Sequence, residues 1–86
     1  MGAEETVGGA VRIDDELSLR GEVCPYTFVK SKLAIEEMES GQILRVIVDN
    51  AESAEAVPRS LRNEGHAVLE VTPVGATEWA IIVRKA

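Results

Sequence analysis

The sequence holds one cysteine, one histidine and only three aromatic residues, Tyr26, Phe28 and Trp79, in 86 positions. A lone cysteine excludes an intrachain disulfide. Together with a lone histidine it falls short of the four ligands a structural zinc site generally needs, so no metal is expected. No apolar run approaches the roughly 20 residues that span a bilayer. No basic stretch followed by an apolar one opens the chain, so no membrane association and a reducing, cytoplasmic location are expected. Basic residues are scarce as well: nine Lys and Arg against 15 Asp and Glu give a net charge of −6. That balance supplies no basic stripe for phosphates and argues against nucleic acid as a direct partner. A basic protein surface suits it better. The shortage of aromatics leaves a core of Val, Ile, Leu and Ala, in a single domain that buries only about 60% of its unfolded surface.

What the chain does have is pattern. Residues 1–14 carry a Gly-Gly pair and scattered acids without a hydrophobic period, and are expected to be a mobile leader to a domain over 15–86. The acidic run Asp14, Asp15 and Glu16 reads as a solvated part of it. From Glu16, Leu17 and Leu19 alternate with Ser18 and Arg20, a strand pattern broken by Gly21. Phe28, Ser31, Ala34, Ile35 and Met38 recur at helical spacing, and this helix is expected to stop at Ser40-Gly41. Ile43 to Asp49 is a β-branched, nearly continuous apolar strand. Asn50 is a candidate cap for a second helix to about Glu64, with Ala51, Ala54, Val57, Pro58 and Leu61 inward and a bend or 3₁₀ start near Val57 imposed by Pro58. After Gly65, His66 to Thr72 and Glu78 to Arg84 read as a hairpin joined through Val74-Gly75-Ala76-Thr77. The order βαβαββ with right-handed crossovers gives an α/β two-layer sandwich, both helices on one face of the sheet.

Chemistry concentrates at Cys24. It precedes Pro25 where the first strand gives way to the first helix. Proline is pre-organised for the first helical position, which makes Cys24 the expected N-cap. A sulfur there faces the N–H groups of Tyr26, Thr27 and Phe28 and the positive end of the helix dipole, which favour thiolate. Arg20 and Lys30 add to that, and Glu22 opposes it. The bland alternative is a buried cysteine acting as a small hydrophobe. His66 starts the third strand, at the opposite edge from strand-to-helix turns, so a structural contact remote from Cys24 is expected. A second stripe on the first helix, Tyr26, Val29 and Leu33, lies away from the core stripe. It is either a docking patch beside the reactive turn or packing against the second helix. Trp79 alternates with Ile81 and Val83 as core.

Leu19-Arg20-Gly21, Cys24-Pro25, Gly41, Asp49 and Gly65-His66, in this order and setting, resemble the TusA/SirA-like sulfurtransferase family over about residues 16–85. The resemblance implies two helices on a four-stranded mixed sheet, as in the C-terminal domain of bacterial translation initiation factor three, with strand four antiparallel between strands two and three. It also implies a sulfur carrier without a cofactor: Cys24 takes sulfane sulfur as a persulfide from a cysteine desulfurase or rhodanese-like donor and relays it to an acceptor protein, while Pro25 fixes its presentation. The family motif is usually Cys-Pro-x-Pro; here Thr27 stands at the second proline and restores an N–H near the sulfur. The competing expectations are a regulatory or protein-binding module of the same fold, with a structural or redox-sensitive Cys24, and nucleic-acid binding by fold analogy, which the charge disfavours.

Overall fold

A computed structural model describes residues 13–23 and 26–86 of the chain. The elements run β1 (Asp15–Ser18), α1 (Tyr26–Glu36), β2 (Ile43–Val48), α2 (Ala51–Asn63), β3 (Ala67–Pro73) and β4 (Trp79–Arg84). The sheet order is β1-β2-β4-β3. β1 is parallel to β2, and β4 is antiparallel to both β2 and β3. This is the expected two-layer sandwich with its last strand inserted.

Register explains which side chains meet. Leu17, Val46, Ile81 and Val71 form one row across the four strands. Period-two alternation therefore puts Leu44, Val46, Val48, Ile81 and Val83 on the helix side. There they join Leu19, Ile35, Val57 and Leu61 in one fully buried cluster, with Phe28, Ala34, Met38 and Trp79 packed against it. On the other face the rows are Glu16, Arg45, Ile82, Glu70 and Ser18, Ile47, Ala80, Thr72. Glu16 and Arg45 pair across that face at 3.1 Å.

Several boundaries depart from the sequence reading. Asp14 is tied into the fold, its N–H donating to the Ile43 carbonyl at 2.9 Å and its carboxylate accepting from the Ile43 N–H at 2.8 Å. With Glu16 paired to Arg45, the acidic run belongs to the sheet and not to a solvated leader; residues 1–12 lie outside the described residues. Helix α1 ends at Glu36, four residues before Ser40. Bonds from Glu37 to Ala34 and from Met38 to Ile35 tighten its last turn. Gly41, at φ +87°, serves instead as the third residue of the turn closed by the Gln42 N–H on the Glu39 carbonyl. That position requires a left-handed residue.

Helix α2 is α-helical from Ala51 to Asn63 without the 3₁₀ start expected at Pro58, whose ring is buried. Ala51 is exposed and Ser53 takes the inward place. Gly65, at φ +98°, ends the helix with its N–H on the Arg62 carbonyl and the His66 N–H on the Leu61 carbonyl. These are the two bonds of a Schellman cap. The hairpin turn closes through the Val74 N–H on the Glu78 carbonyl. An unforeseen register shift lies between Val68 and Glu70 in β3.

Candidate functional site at the β1–α1 turn

The approach to Cys24 is built as a tight turn. Leu19 is buried and its N–H extends the β1–β2 pairing onto the Ile47 carbonyl at 2.8 Å. The Glu22 N–H then closes a four-residue turn on the Leu19 carbonyl at 3.0 Å, with Gly21 at φ +84° in the third position. Only glycine takes that angle readily, so the Leu-Arg-Gly run has a conformational cause. Gly21 also donates its N–H to the Asp49 carboxylate at 2.7 Å, and the Asn50 side-chain amide donates to the Glu22 carbonyl at 3.2 Å. The turn is thereby held to the C-terminal end of β2.

Cys24 and Pro25 lie outside the described residues, and with them the expected cap geometry. Their neighbours are well placed. Val23 and Tyr26 are 58% and 61% exposed. The Val23 carbonyl accepts the N–H groups of both Tyr26 (2.9 Å) and Thr27 (3.3 Å). The first helical carbonyl is thus Val23, and two of the three amides expected to face the sulfur are engaged in the helix's own bonding.

Thr27 differs from expectation in a second way. It is fully buried, its hydroxyl 3.1 Å from that of Ser53 across the α1–α2 seam. Ser31, also buried, donates its hydroxyl to the Thr27 carbonyl at 2.7 Å. The residue that replaces the family's second proline therefore spends its N–H on Val23 and its hydroxyl on the neighbouring helix.

Both cations assigned to the site are paired. Arg20 donates to Glu78 at 3.0 Å and to Ser18 at 3.0 Å; Lys30 donates to Glu22 at 2.8 Å. The hydrogen bond and charge of Glu78 hold the Arg20 guanidinium above its ordinary pKa, with Glu16 and Asp49 adding to the effect. Much of their positive charge is answered locally.

Along α1 the stripe Tyr26, Val29 and Leu33 is exposed, and Val23 extends it. Packing against α2, the alternative weighed for this stripe, is made instead by the Thr27 face. His66 accepts the Ala86 N–H at 3.1 Å, and the following Ala67 is level with Arg84 and Ile43, at the end of the sheet opposite Ser18 and Val48. A separate open groove of about 430 Å³ runs between α2 and β3, lined by Ala54, Pro58, Arg62, Val71, Pro73 and Trp79. It holds none of the predicted site residues.

Sequence reasoning identified Asn50 as a cap but missed its second bond to Glu22, and it missed Ser53 and Glu78. A serine three residues after a capping Asn was a visible signal. Glu78 had none, because its partner is 58 positions away.

The family described as Sulfurtransferase TusA matches residues 15–85. A protein of Archaeoglobus fulgidus named "Putative sulfur carrier protein" is 51% identical over 75 residues, covering 87% of this chain and 85% of its own. A protein of the same name from Thermotoga maritima is 40% identical over 73 residues, covering 85% and 92%. The crystal structure of a SirA-like protein from Desulfitobacterium hafniense superposes with a TM-score of 0.73 at 22% identity, covering 81% of this chain and 95% of that one, which speaks to the fold. A turn of this build before the lone Cys-Pro, on this sheet order and with these relatives, makes the chain a member of the TusA family of sulfurtransferases.

Proposed function

We propose that the chain carries sulfur as a persulfide on Cys24, accepting it from a donor protein and passing it to an acceptor. The observation that carries this reading is the exposure of both flanks of the only thiol, Val23 and Tyr26, in a turn otherwise fixed by hydrogen bonds. A carrier sulfur must be reached by two proteins in succession. A thiol buried for packing has no need of such surroundings.

The step is balanced without an added oxidant. The Cys24 thiolate attacks the terminal sulfur of the donor persulfide. Its electron pair forms the new S–S bond, and the donor's S–S pair departs with the donor cysteine as thiolate. Delivery to the acceptor repeats the exchange in the other direction. Cys24 is the nucleophile and carrier, and Pro25 restricts the turn that presents it.

Tyr26, Val29 and Leu33, continued by Val23, form the face on which donor and acceptor dock. An apolar strip beside the reacting atom supplies contact area common to both partners. The net charge of −6 selects partners with basic rims.

Incubation with a cysteine desulfurase, cysteine and pyridoxal phosphate, followed by intact-protein mass spectrometry, tests the reading. The wild type should gain one sulfur mass, and Cys24→Ser should not. A wild-type protein that stays unmodified with desulfurase and rhodanese donors alike would refute it.

A further inference from the structure

Helix α2 carries four exposed charges, Glu52, Glu55, Arg59 and Arg62. At about 100° per residue they share one arc about 80° wide, opposite the buried Val57. Among the described residues no ion pair reaches any of the four, although Glu55 and Arg59 are one turn apart. Their signs are inverted about Val57: Glu55 is matched by Arg59, and Glu52 by Arg62, at equal steps on either side. The helix dipole accounts for Glu52 in the first turn and Arg62 in the last. That effect fades within a turn and leaves Glu55 and Arg59 without a cause. Beside this stripe runs the open groove between α2 and β3. Its walls include the apolar Pro58, Val71, Pro73 and Trp79, and Glu55 and Arg62 themselves border it.

A stripe whose signs invert about its centre complements a copy of itself turned end for end. We infer that two copies of this chain associate through α2, the helices antiparallel across a two-fold axis at Val57. Glu52 of each copy then faces Arg62 of the other, and Glu55 faces Arg59, so symmetry makes every pair twice. Parallel helices in register would oppose like charges instead. Exposed ion pairs fix orientation and register more than they add affinity. Affinity comes from the groove, where the aliphatic stems of the arginines gain an apolar wall to lie along. The association is therefore weak and set by concentration.

The arrangement has a consequence for the β1–α1 turn. Asp49 and Asn50, which hold that turn, immediately precede the N-terminus of α2. Antiparallel helices thus carry the two turns to opposite ends of the pair, where each copy engages a partner of its own. The inference is independent of what Cys24 carries.

Sedimentation equilibrium of the full chain, from about 10 μM to about 1 mM, tests this. The average mass of the wild type should climb from the 9.3 kDa of one copy toward twice that value. Glu55→Arg and Arg59→Glu should each raise the dissociation constant about ten-fold, because each breaks both symmetry-related pairs and opposes like charges. One makes the chain less acidic and the other more so, so a loss shared by both cannot come from net repulsion. The combined Glu55→Arg/Arg59→Glu chain exchanges the two signs, keeps the net charge and should regain wild-type association. A mass of one copy across the whole range, single variants that associate like the wild type, or a combined variant as weak as the singles would each overturn the inference.

Discussion

Replacing Thr27 by valine removes one hydroxyl with almost no change in volume, at a site with no solvent access. Its hydroxyl lies 3.1 Å from that of Ser53, which is equally buried, so either single substitution takes a hydrogen-bond partner from a group that water cannot reach. Losing a partner in such a place costs about 1–3 kcal/mol, whereas replacing both members with apolar groups is nearly neutral. Neither residue is without other interactions, so the lower part of that range applies. We expect Thr27→Val and Ser53→Ala each to cost about 1–1.5 kcal/mol. The double variant should cost clearly less than their sum, with a coupling of about 1 kcal/mol. For a domain of this size each kcal/mol lowers the melting temperature by about 4–8 °C, well within calorimetric resolution. Urea titration at constant slope gives the free energies directly. Singles that add to within about 0.3 kcal/mol would show that the two hydroxyls do not sense each other and that the seam is held by shape alone.

Thr27→Pro, which restores the family's usual second proline, should cost about 1 kcal/mol more than Thr27→Val in the same melts, because it also deletes the N–H bonded to Val23. Leu33→Glu and Tyr26→Ala alter side chains 56% and 61% exposed, so stability should move by less than about 0.5 kcal/mol while persulfide transfer falls. A collapse of the melting temperature would put the stripe in the core. Gly65→Ala should destabilise by about 1–2 kcal/mol through its φ of +98° alone, since no atom lies within 4 Å of the added methyl; Gly65→Asn should cost less. The Lys32–Glu36 pair, at 2.9 Å, depresses the Glu36 carboxyl below its ordinary value of 4.5. Glu36 thus releases its proton more readily when folded. Its contribution is present above that ordinary value and is lost as pH falls through the lower folded one. A Lys32→Met protein should differ from wild type in melts at pH 7 and converge with it as the Glu36 carboxyl is protonated in acid; a difference that persists once that carboxyl is protonated would contradict the assignment.

How much of this was legible depended on the range of each interaction. Elements whose cause is local were readable: Asn50 before a helix, Gly65 after one, and the β-branched run of Ile43 to Val48. Glycine marked where the chain leaves β1 and α2, but not that Gly21 would close a tight turn or that Gly65 would carry a Schellman cap. Errors arose where a local signal had two uses. Gly41 has the angle of a helix stop but serves a turn five residues beyond the end of α1. Pro58 suggests a 3₁₀ start, yet α2 is α-helical from Ala51 to Asn63 with the proline ring buried inside it. At the candidate site, the stripe Tyr26, Val29 and Leu33 was visible in spacing, but not whether α2 would cover it. The pairing of Arg20 with Glu78 and of Thr27 with Ser53 was not, since both join residues brought together only by the assembled sheet and helices.

The register shift in β3 has a consequence for how crowded copies of this protein behave. β3 lies at the margin of the sheet with Leu69 and Val71 partly uncovered, the kind of greasy, half-bonded ribbon that recruits strands from other molecules into fibres. The shift between Val68 and Glu70 spoils the even spacing of that ribbon, and Pro73 removes a donor where it ends. Deleting Leu69 to restore an even ladder would be expected to shorten the lag before aggregation in concentrated solution, at little cost to the interior.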